Sequence, residues 1–445
     1  MKCTGCRELM VAYIKGELEG DRLSAFEEHI AQCTACQAEL EGARKVAAVV
    51  DQASDEQIEL LASTVIEKGI ERRASDIHIQ PMPDKTVVRY RIDGVLHDAI
   101  VVPRYALDPL VARIKLMAEM NLSGERLPQD GRIHVRHNHK DYDLRVSVVP
   151  GFLGEQVVIR ILDKGAMLLG LADIFTHEDV RAQVEEILRA PSGLICSTGP
   201  TGSGKTTTLY AIMQHLNRRE CSLISVEDPV EYQIDGVTQI HVNQQAGLTF
   251  GVAMRHILRQ DPDVIMCAEI RDLNTLQTTV QAALTGHLVL TALHTNDAVS
   301  VITRMLDVGL ERFLVAASLI GVIAQRLLRR VCEDCAEERP ITEMEAKWLR
   351  DSGIEEVPAT IRRGAGCDNC RGTGCRSRTA CHEVLTIDPE LREAIAGEMD
   401  IREVKLLAAA KITPMRHDAA RMVLEGKVDI AEAMRVLAFM PRYDS

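Results

Sequence analysis

The stretch Gly199-Pro200-Thr201-Gly202-Ser203-Gly204-Lys205-Thr206-Thr207 decides the fold. It reads Gly, four free positions, then Gly-Lys-Thr, the pattern of a phosphate-binding loop. The apolar run Gly193 to Thr198 predicts a strand leading in, and Lys205 to Leu216 predicts a helix leading out. Glycines let the backbone wrap closely, so successive N–H groups aim at phosphate oxygens. The helix start adds its partial positive charge at the same place. Lys205 supplies a point charge for the β- and γ-phosphates, and Thr206 Oγ1 is placed to ligate Mg²⁺. Strand, loop and helix in this order predict an α/β nucleotide-binding domain.

Two acidic strand ends flank the loop. Cys221 to Val226 predicts a strand that ends in Glu227-Asp228-Pro229-Val230-Glu231. Val264-Ile-Met-Cys-Ala-Glu269 predicts another. Carboxylates at the carboxyl ends of parallel strands sit where ligands bind in such sheets. Glu227 is a candidate to activate water or to hold Mg²⁺ through water. Gly286-His287-Leu-Val-Leu-Thr-Ala-Leu-His294-Thr-Asn296 predicts a strand with a histidine at each end. His294, on the ligand edge, is either a γ-phosphate sensor or a structural histidine. Asp297 to Leu310 and Glu311 to Arg329 read as helices covering the sheet.

Composition narrows the partners. The chain has 445 residues, 46% hydrophobic and 26% charged, with a net charge of −13. At about 150 residues per domain it predicts two to four domains. The acidic balance opposes a broad phosphate-backbone contact, and aromatics at 3% leave few base-stacking platforms, so no nucleic-acid partner is expected. The polar start Met1-Lys-Cys-Thr-Gly-Cys lacks a signal-peptide pattern. The longest apolar run, Phe313 to Ala324, falls short of the roughly 20 residues of a membrane span. A cytoplasmic protein is expected, with peripheral membrane attachment open.

Thirteen cysteines are many for such a chain, and eight form Cys-x₂-Cys pairs at 3/6, 33/36, 332/335 and 367/370. A reducing compartment favours metal over disulfide. Cys332, Cys335, Cys367 and Cys370 read as a Cys₄ structural zinc site. Near the start, Cys3, His29, Cys33 and Cys36 form a second tetrahedral set, with His29 and Cys33 one helical turn apart. That pattern resembles the zinc-binding anti-sigma-factor domain, and in that alignment Cys3 is a ligand and Cys6 a spare thiol. The resemblance implies a docking or redox-sensing module whose partner is unknown, a sigma factor being one alternative.

Between these segments an amphipathic helix, Ile58 to Arg72, precedes period-two strands at 75–80, 86–91, 132–135, 142–148 and 156–161. A helix is expected over Ala106 to Met120, with turns at Asp93-Gly94 and Asp130-Gly131. Arginines recur on these strands: Arg89, Arg91, Arg132, Arg145 and Arg160. Most read as half-exposed strand charge. For Arg132 and Arg145 the sharper reading is a reach to a γ-phosphate, possible across a subunit boundary.

Four ordered motifs carry a family resemblance: Gly199 to Thr206, Val226 to Tyr232, Leu258 to Asp272 and Thr285 to Asn296. Ser75-Asp-Ile-His-Ile and Arg91-Ile-Asp-Gly94 add to it. Residues 58 to about 430 resemble the secretion ATPase family of type II secretion and type IV pilus assembly. The resemblance implies a RecA-like ATPase domain behind a PAS-like domain, joined by a mobile linker near 163. It implies a homo-hexamer that hydrolyses ATP with Mg²⁺ against an inner-membrane platform protein. It places Glu227, with Glu231 second, at water activation, Glu269 at Mg²⁺ and water, and Arg255 on the phosphate side. Ala268, Ala292 and Cys375 stand where the family usually has Gly, Thr and Tyr. Against the resemblance, the zinc module is expected to stand in place of the large N-terminal docking domain of many members. The Cys₄ segment favours assembly over retraction. A sigma-binding or redox-sensing regulator, and then a nucleic-acid translocase, are the alternatives. The expected organisation is a zinc module at 1–45, a linker at 46–57, an α+β domain at 58–163, the ATPase core at 164–330, a tetracysteine insertion at 331–382 and a helical tail at 383–445.

Overall fold

The computed structural model describes residues 6, 9–10, 13, 18–33, 36–37, 40, 55–122, 127–163 and 169–440. Cys3, most of the expected linker 46–57 and the segment after 163 lie outside the described residues. The chain divides into two compact units, Met1–Ala166 and Met167–Ser445. Among the described residues no helix is long and apolar enough to cross a membrane.

In the first unit, helix α1 (Asp21–Gln32) buries Phe26 in a small cluster with Cys6, Met10, Leu18, Cys36 and Leu40. Helix α2 (Asp55–Glu71) is followed by β1 (Asp76–Pro81), β2 (Lys85–Ile92), β3 (Val95–Pro103), α3 (Leu107–Met117), β4 (Gln129–His137), β5 (Lys140–Gly151) and β6 (Gly154–Asp163). The six strands form one antiparallel sheet in the order β3-β2-β1-β6-β5-β4. Alternation explains the pattern: Leu144, Val146 and Val148 of β5 are buried, while the residues between them are not. Leu61, Val65 and Ile66 of α2 and Leu107, Leu110 and Ile114 of α3 close that face. Tyr90 on β2 donates its hydroxyl proton to Val65 O at 2.9 Å, tying helix to sheet.

Two expectations here are corrected. Strand β3 is not among the predicted ones, because most of its residues are half-buried on both faces and show no alternation. Asp130-Gly131 is no turn: it lies inside β4, opposite Ser147 and Val146. Gly131 is needed there because a Cβ would sit 2.4 Å from Ala118 O, just past the end of α3. Asp93-Gly94 does turn, with φ of 48° and 84°, between β2 and β3.

After a single helical turn at Leu171–Ile174, the second unit runs through α4 (Glu178–Ile187), β7 (Gly193–Thr198), α5 (Lys205–Leu216), β8 (Leu223–Glu227), β9 (Val237–His241) and α6 (Phe250–Ile257). It continues with β10 (Val264–Cys267), α7 (Leu273–Leu284), β11 (Leu288–Leu293), α8 (Val299–Asp307), α9 (Arg312–Ser318) and β12 (Leu319–Val331). Then come β13 (Ala336–Pro340), α10 (Glu343–Asp351), β14 (Thr360–Gly364), β15 (Cys375–Thr386), α11 (Pro389–Ala396), α12 (Ile401–Ala409), α13 (Met415–Leu424) and α14 (Ile430–Val436). The main sheet runs β15-β12-β7-β11-β10-β8-β9, parallel except for the β12–β15 pair. Strands β7, β8, β10 and β11 are buried throughout, as expected of a parallel sheet covered on both faces. Leu194, Cys196, Ile265 and Cys267 face one core with α6, α7 and α8. Ile195, Val264 and Met266 face the other with α5.

The expected helix over Glu311 to Arg329 is corrected to α9 and then β12. A strand buried on both sides gives a continuous apolar run, which periodicity cannot tell from a buried helix. The expected boundary at 382 falls inside β15, which pairs with β12 from Thr386 to Cys375. The helical tail packs on the sheet's own core through Leu391, Val404, Met415 and Ile430. At its base, His177 Nδ1 lies 2.5 Å from Asp418 Oδ1, and the Asp418 carboxylate also accepts from His382 N at 2.8 Å.

Gly131→Ala forces a methyl group onto a backbone oxygen and is expected to cost about 1–3 kcal/mol. Amide hydrogen exchange across β4 and β5 should accelerate accordingly; unchanged protection there contradicts the packing described.

Candidate functional site

Strand β7 delivers the chain to the phosphate loop and α5 takes it away. Gly204, at φ 93°, is the N-cap of α5. At Gly199 a Cβ would fall 2.5 Å from Ser203 Oγ and 2.6 Å from Gln325 O. Gly204 needs glycine chiefly for its backbone conformation, and Gly199 for lack of space. The first amides of α5 precede the helix's own hydrogen-bond ladder and so remain donors for a ligand. Thr206 is half-buried and Thr207 exposed at this helix start.

Lys205 Nζ donates to Gly199 O at 2.9 Å and Pro200 O at 3.1 Å, and lies 3.4 Å from His294 Nδ1. Burial pulls its pKa below the usual lysine value, with Glu269 acting the other way. The second nitrogen of His294, Nε2, lies 3.2 Å from Glu269 Oε1. Arg271 Nη2 donates to Glu269 Oε2 at 2.9 Å and Nη1 faces Asp228 Oδ2 at 3.7 Å. Partial burial raises the Glu269 carboxyl, but Arg271 and His294 outweigh it and leave it below the ordinary carboxylate value. A cation, an imidazole and an ionised carboxylate thus meet at the loop.

Glu227 is not in this group. It is buried, and its carboxylate accepts from the Tyr210 hydroxyl, from Ser225 Oγ at 2.5 Å and from Gln239 Nε2 at 3.0 Å. Tyr210 in turn receives the Glu231 amide at 3.1 Å. Placing Glu227 at water activation is corrected accordingly: the carboxylate beside Lys205 and His294 is Glu269. Nor does the structure bring His287 to the loop. It precedes β11, and its carbonyl receives Gly193 N at the start of β7. That is a strand length, about 20 Å, from the phosphate loop. Its Nδ1 lies 2.9 Å from Ala282 O, at the end of α7. Arg255 is exposed on α6.

Sequence reading missed the contribution of β12. Gln325 Nε2 donates to Ser203 O at 2.9 Å, and Arg326 Nη2 donates to Asn296 O at 2.9 Å. A buried Gln-Arg pair inside an apolar run was the available signal. A helical reading of that run hides it.

In the first unit, Arg132 pairs across the sheet with Arg145, Arg145 with Arg160, Arg160 with Asp76, and Asp76 with Arg91. Directly opposed residues share a face, so these form one row across five strands. Asp76 accepts from Arg160 Nε at 3.2 Å and faces Arg91 Nε at 3.8 Å. Sequence reading gave Asp76 no role.

The thiols of Cys332, Cys335, Cys367 and Cys370 converge within 4.8 Å of one another. The Cys332–Cys367, Cys335–Cys370 and Cys367–Cys370 sulfurs are 3.9, 3.7 and 3.7 Å apart. Tetrahedral zinc with Zn–S of about 2.3 Å sets its sulfurs about 3.8 Å apart, so the donor set fits zinc. Cys370 Sγ accepts from Cys367 N at 3.1 Å and Gly374 N at 3.2 Å. Burial raises this thiol, but those N–H groups and the neighbouring thiols bring it down to about 7. Near the start of the chain, Cys6, His29 and Cys36 converge within 4.8 Å. Cys6, expected as a spare, is therefore in the group. Cys33 caps α1 outside it, its amide donating to His29 O at 2.9 Å.

The model of the type II/IV secretion system protein family matches residues 51–435. The chain belongs to that family. The type II secretion system protein E of Aeromonas hydrophila is 44% identical over 87% of this chain and 77% of its own length. HxcR of Pseudomonas aeruginosa is 46% identical over 84% and 76%. The type IV pilus assembly ATPase PilB of Thermus thermophilus is 41% identical over 83% of this chain and 42% of its own. The crystal structure of the pilus retraction motor PilT with bound ADP covers 84% of this chain and 95% of its own, at TM-score 0.56 and 26% identity. The Legionella pneumophila ATPase DotB aligns at TM-score 0.63 and 21% identity, covering 85% and 95%, a likeness of fold. The parallel sheet of the second unit is the RecA-like ATPase fold of these structures. A zinc-finger family matches residues 3–37.

Metal analysis of the purified protein should find roughly two zinc ions per chain, one per donor set. Cys335→Ser with Cys370→Ser should remove one of them; a wild-type count near zero contradicts both sites.

Proposed function

We propose that this chain is an ATPase that powers assembly of a type II secretion pseudopilus or a type IV pilus. It acts as a homo-hexamer in the cytoplasm, on the inner-membrane platform protein of its system. The observation that carries the reading is the meeting of Lys205, His294 and Glu269 at the phosphate loop, in a chain 44% identical to a type II secretion system protein E.

The loop from Gly199 to Thr207 holds the triphosphate. Lys205 exchanges the carbonyls of Gly199 and Pro200 for β- and γ-phosphate oxygens. Thr206 and Glu269 would hold Mg²⁺, which when bound neutralises charge on the phosphates. Glu269 stays ionised beside Arg271, and so can orient the attacking water and accept its proton. His294 bridges Lys205 and Glu269, the place for a residue that reports the γ-phosphate. Arg132 and Arg145 stand side by side at the end of the row away from Asp76, two like charges that suit a phosphate, and we assign them to the ATP of a neighbouring subunit. Glu227 supports the site from within, fixing Tyr210 of α5. The zinc module at the start of the chain serves as a docking element.

Lys205→Ala should abolish ATP turnover. Glu269→Gln should lower kcat by about 100-fold or more while still binding ATP. Turnover near wild type in either variant contradicts the corresponding role.

A further inference from the structure

The contacts of β12 point beyond the loop residues themselves. Ala324 pairs with Thr198, the last residue of β7, so Gln325 stands where the phosphate loop departs. The Gln325 side chain is buried. Its Nε2 donates to Ser203 O at 2.9 Å, and its Oε1 accepts from Ser197 Oγ at 3.3 Å. Both amide functions are therefore used, one on the strand before the loop and one on the loop itself. Its backbone oxygen lies 2.6 Å from where a Cβ on Gly199 would be, and Nε2 lies 3.1 Å from the same point on Gly204. Gln325 is thus in contact with the loop at its start, its middle and its end.

We infer that Gln325 is a positioning residue that holds the phosphate loop in its nucleotide-ready shape. The inference rests on the ATPase reading and deepens it. A glycine-rich loop has many backbone conformations, and ordering it lowers affinity if the ordering must occur on binding. A buried amide that fixes Ser203 O and Ser197 Oγ settles that shape beforehand. Both functions of its amide are taken by the protein, so its contribution falls on nucleotide affinity rather than on the chemical step. Arg326, next along the strand, faces the other way and fixes the Asn296 carbonyl, two residues after His294. The strand thereby steadies both loops that meet at the site.

The test is steady-state ATP hydrolysis by full-length protein, with binding of a fluorescent ATP analogue measured in parallel. Gln325→Leu keeps the volume and removes both amide functions. It should raise KM and the analogue's Kd about tenfold, the scale of a lost buried hydrogen bond with an orphaned carbonyl, while kcat stays within about threefold. Ser197→Ala should raise KM less, and in the Gln325→Leu background should add under about twofold, because its partner is already gone. Far-UV circular dichroism and zinc content report whether each variant has folded. A folded Gln325→Leu protein with wild-type KM overturns the inference, and so does a KM effect of Ser197→Ala that multiplies fully with that of Gln325→Leu. If Gln325→Leu does not fold, the Ser197→Ala variant decides alone: an unchanged KM overturns the inference. A wild-type protein that neither binds the analogue nor hydrolyses ATP overturns the ATPase reading instead.

Discussion

The register of three parallel strands is the constraint on which the site depends. Leu293 of β11 and Ala324 of β12 both pair with Thr198 of β7. Strands β7 and β11 therefore end at one level while β12 runs on beside β15, and the phosphate loop, the His294 loop and Gln325 converge. A one-residue slip in any pair would turn its side chains to the opposite face. The register is held by burial on both faces and by specific bonds at the edge. Thr198 Oγ1 lies 2.8 Å from Thr295 Oγ1 and accepts from Thr295 N at 2.9 Å. Those bonds lock the end of β7 to the residue after His294, so the imidazole cannot drift from Lys205.

Two carboxylates at strand ends have been given different work by their surroundings. Glu227 meets three donors in a buried pocket, and each bond it makes opposes its use as a base. Glu269 is half-buried, beside Arg271 and His294, where an ionised oxygen stays within reach of a ligand. The residue type is the same, but Cys267 pairs with Val226, so Glu269 stands one residue further past its strand than Glu227 does. That step leaves Glu227 among the protein's own donors, which fill its lone pairs, and Glu269 at the loop.

The second unit was legible in the sequence because its motifs combine chemistry with position. The phosphate loop needs glycines at fixed places, and Val264 to Cys267 needs an apolar run that ends in a carboxylate. Alternation revealed β1, β2 and β4 to β6 for the same kind of reason. Local pattern failed wherever a partner distant in sequence decided the outcome. Leu319–Val331 is a strand because β7 and β15 flank it. Asp130-Gly131 is extended because Ala118 O leaves no room for a side chain. His287 is remote from the loop because strand direction, unseen in a motif, puts it at the other end. Cys6 joins His29 and Cys36 because a chain path, rather than a spacing rule, brings it there.

The tetracysteine site bears on the same sheet. Its ligands lie between β12 and β15, and β15 is an edge strand whose register depends on how the intervening chain closes. A long unconstrained connection pays loop-closure entropy and tolerates slippage. Tying Cys332 and Cys335 to Cys367 and Cys370 shortens that connection to the few residues from Cys370 to Cys375. Cys332 N donates to Gly374 O at 2.9 Å, which continues the β12–β15 ladder up to the metal ligands. Metal at this place acts at the far end of the strand whose near end grips the phosphate loop. The second unit has a large core of its own. Metal held by these four thiols would therefore act locally, on the register of the β12–β15 pair.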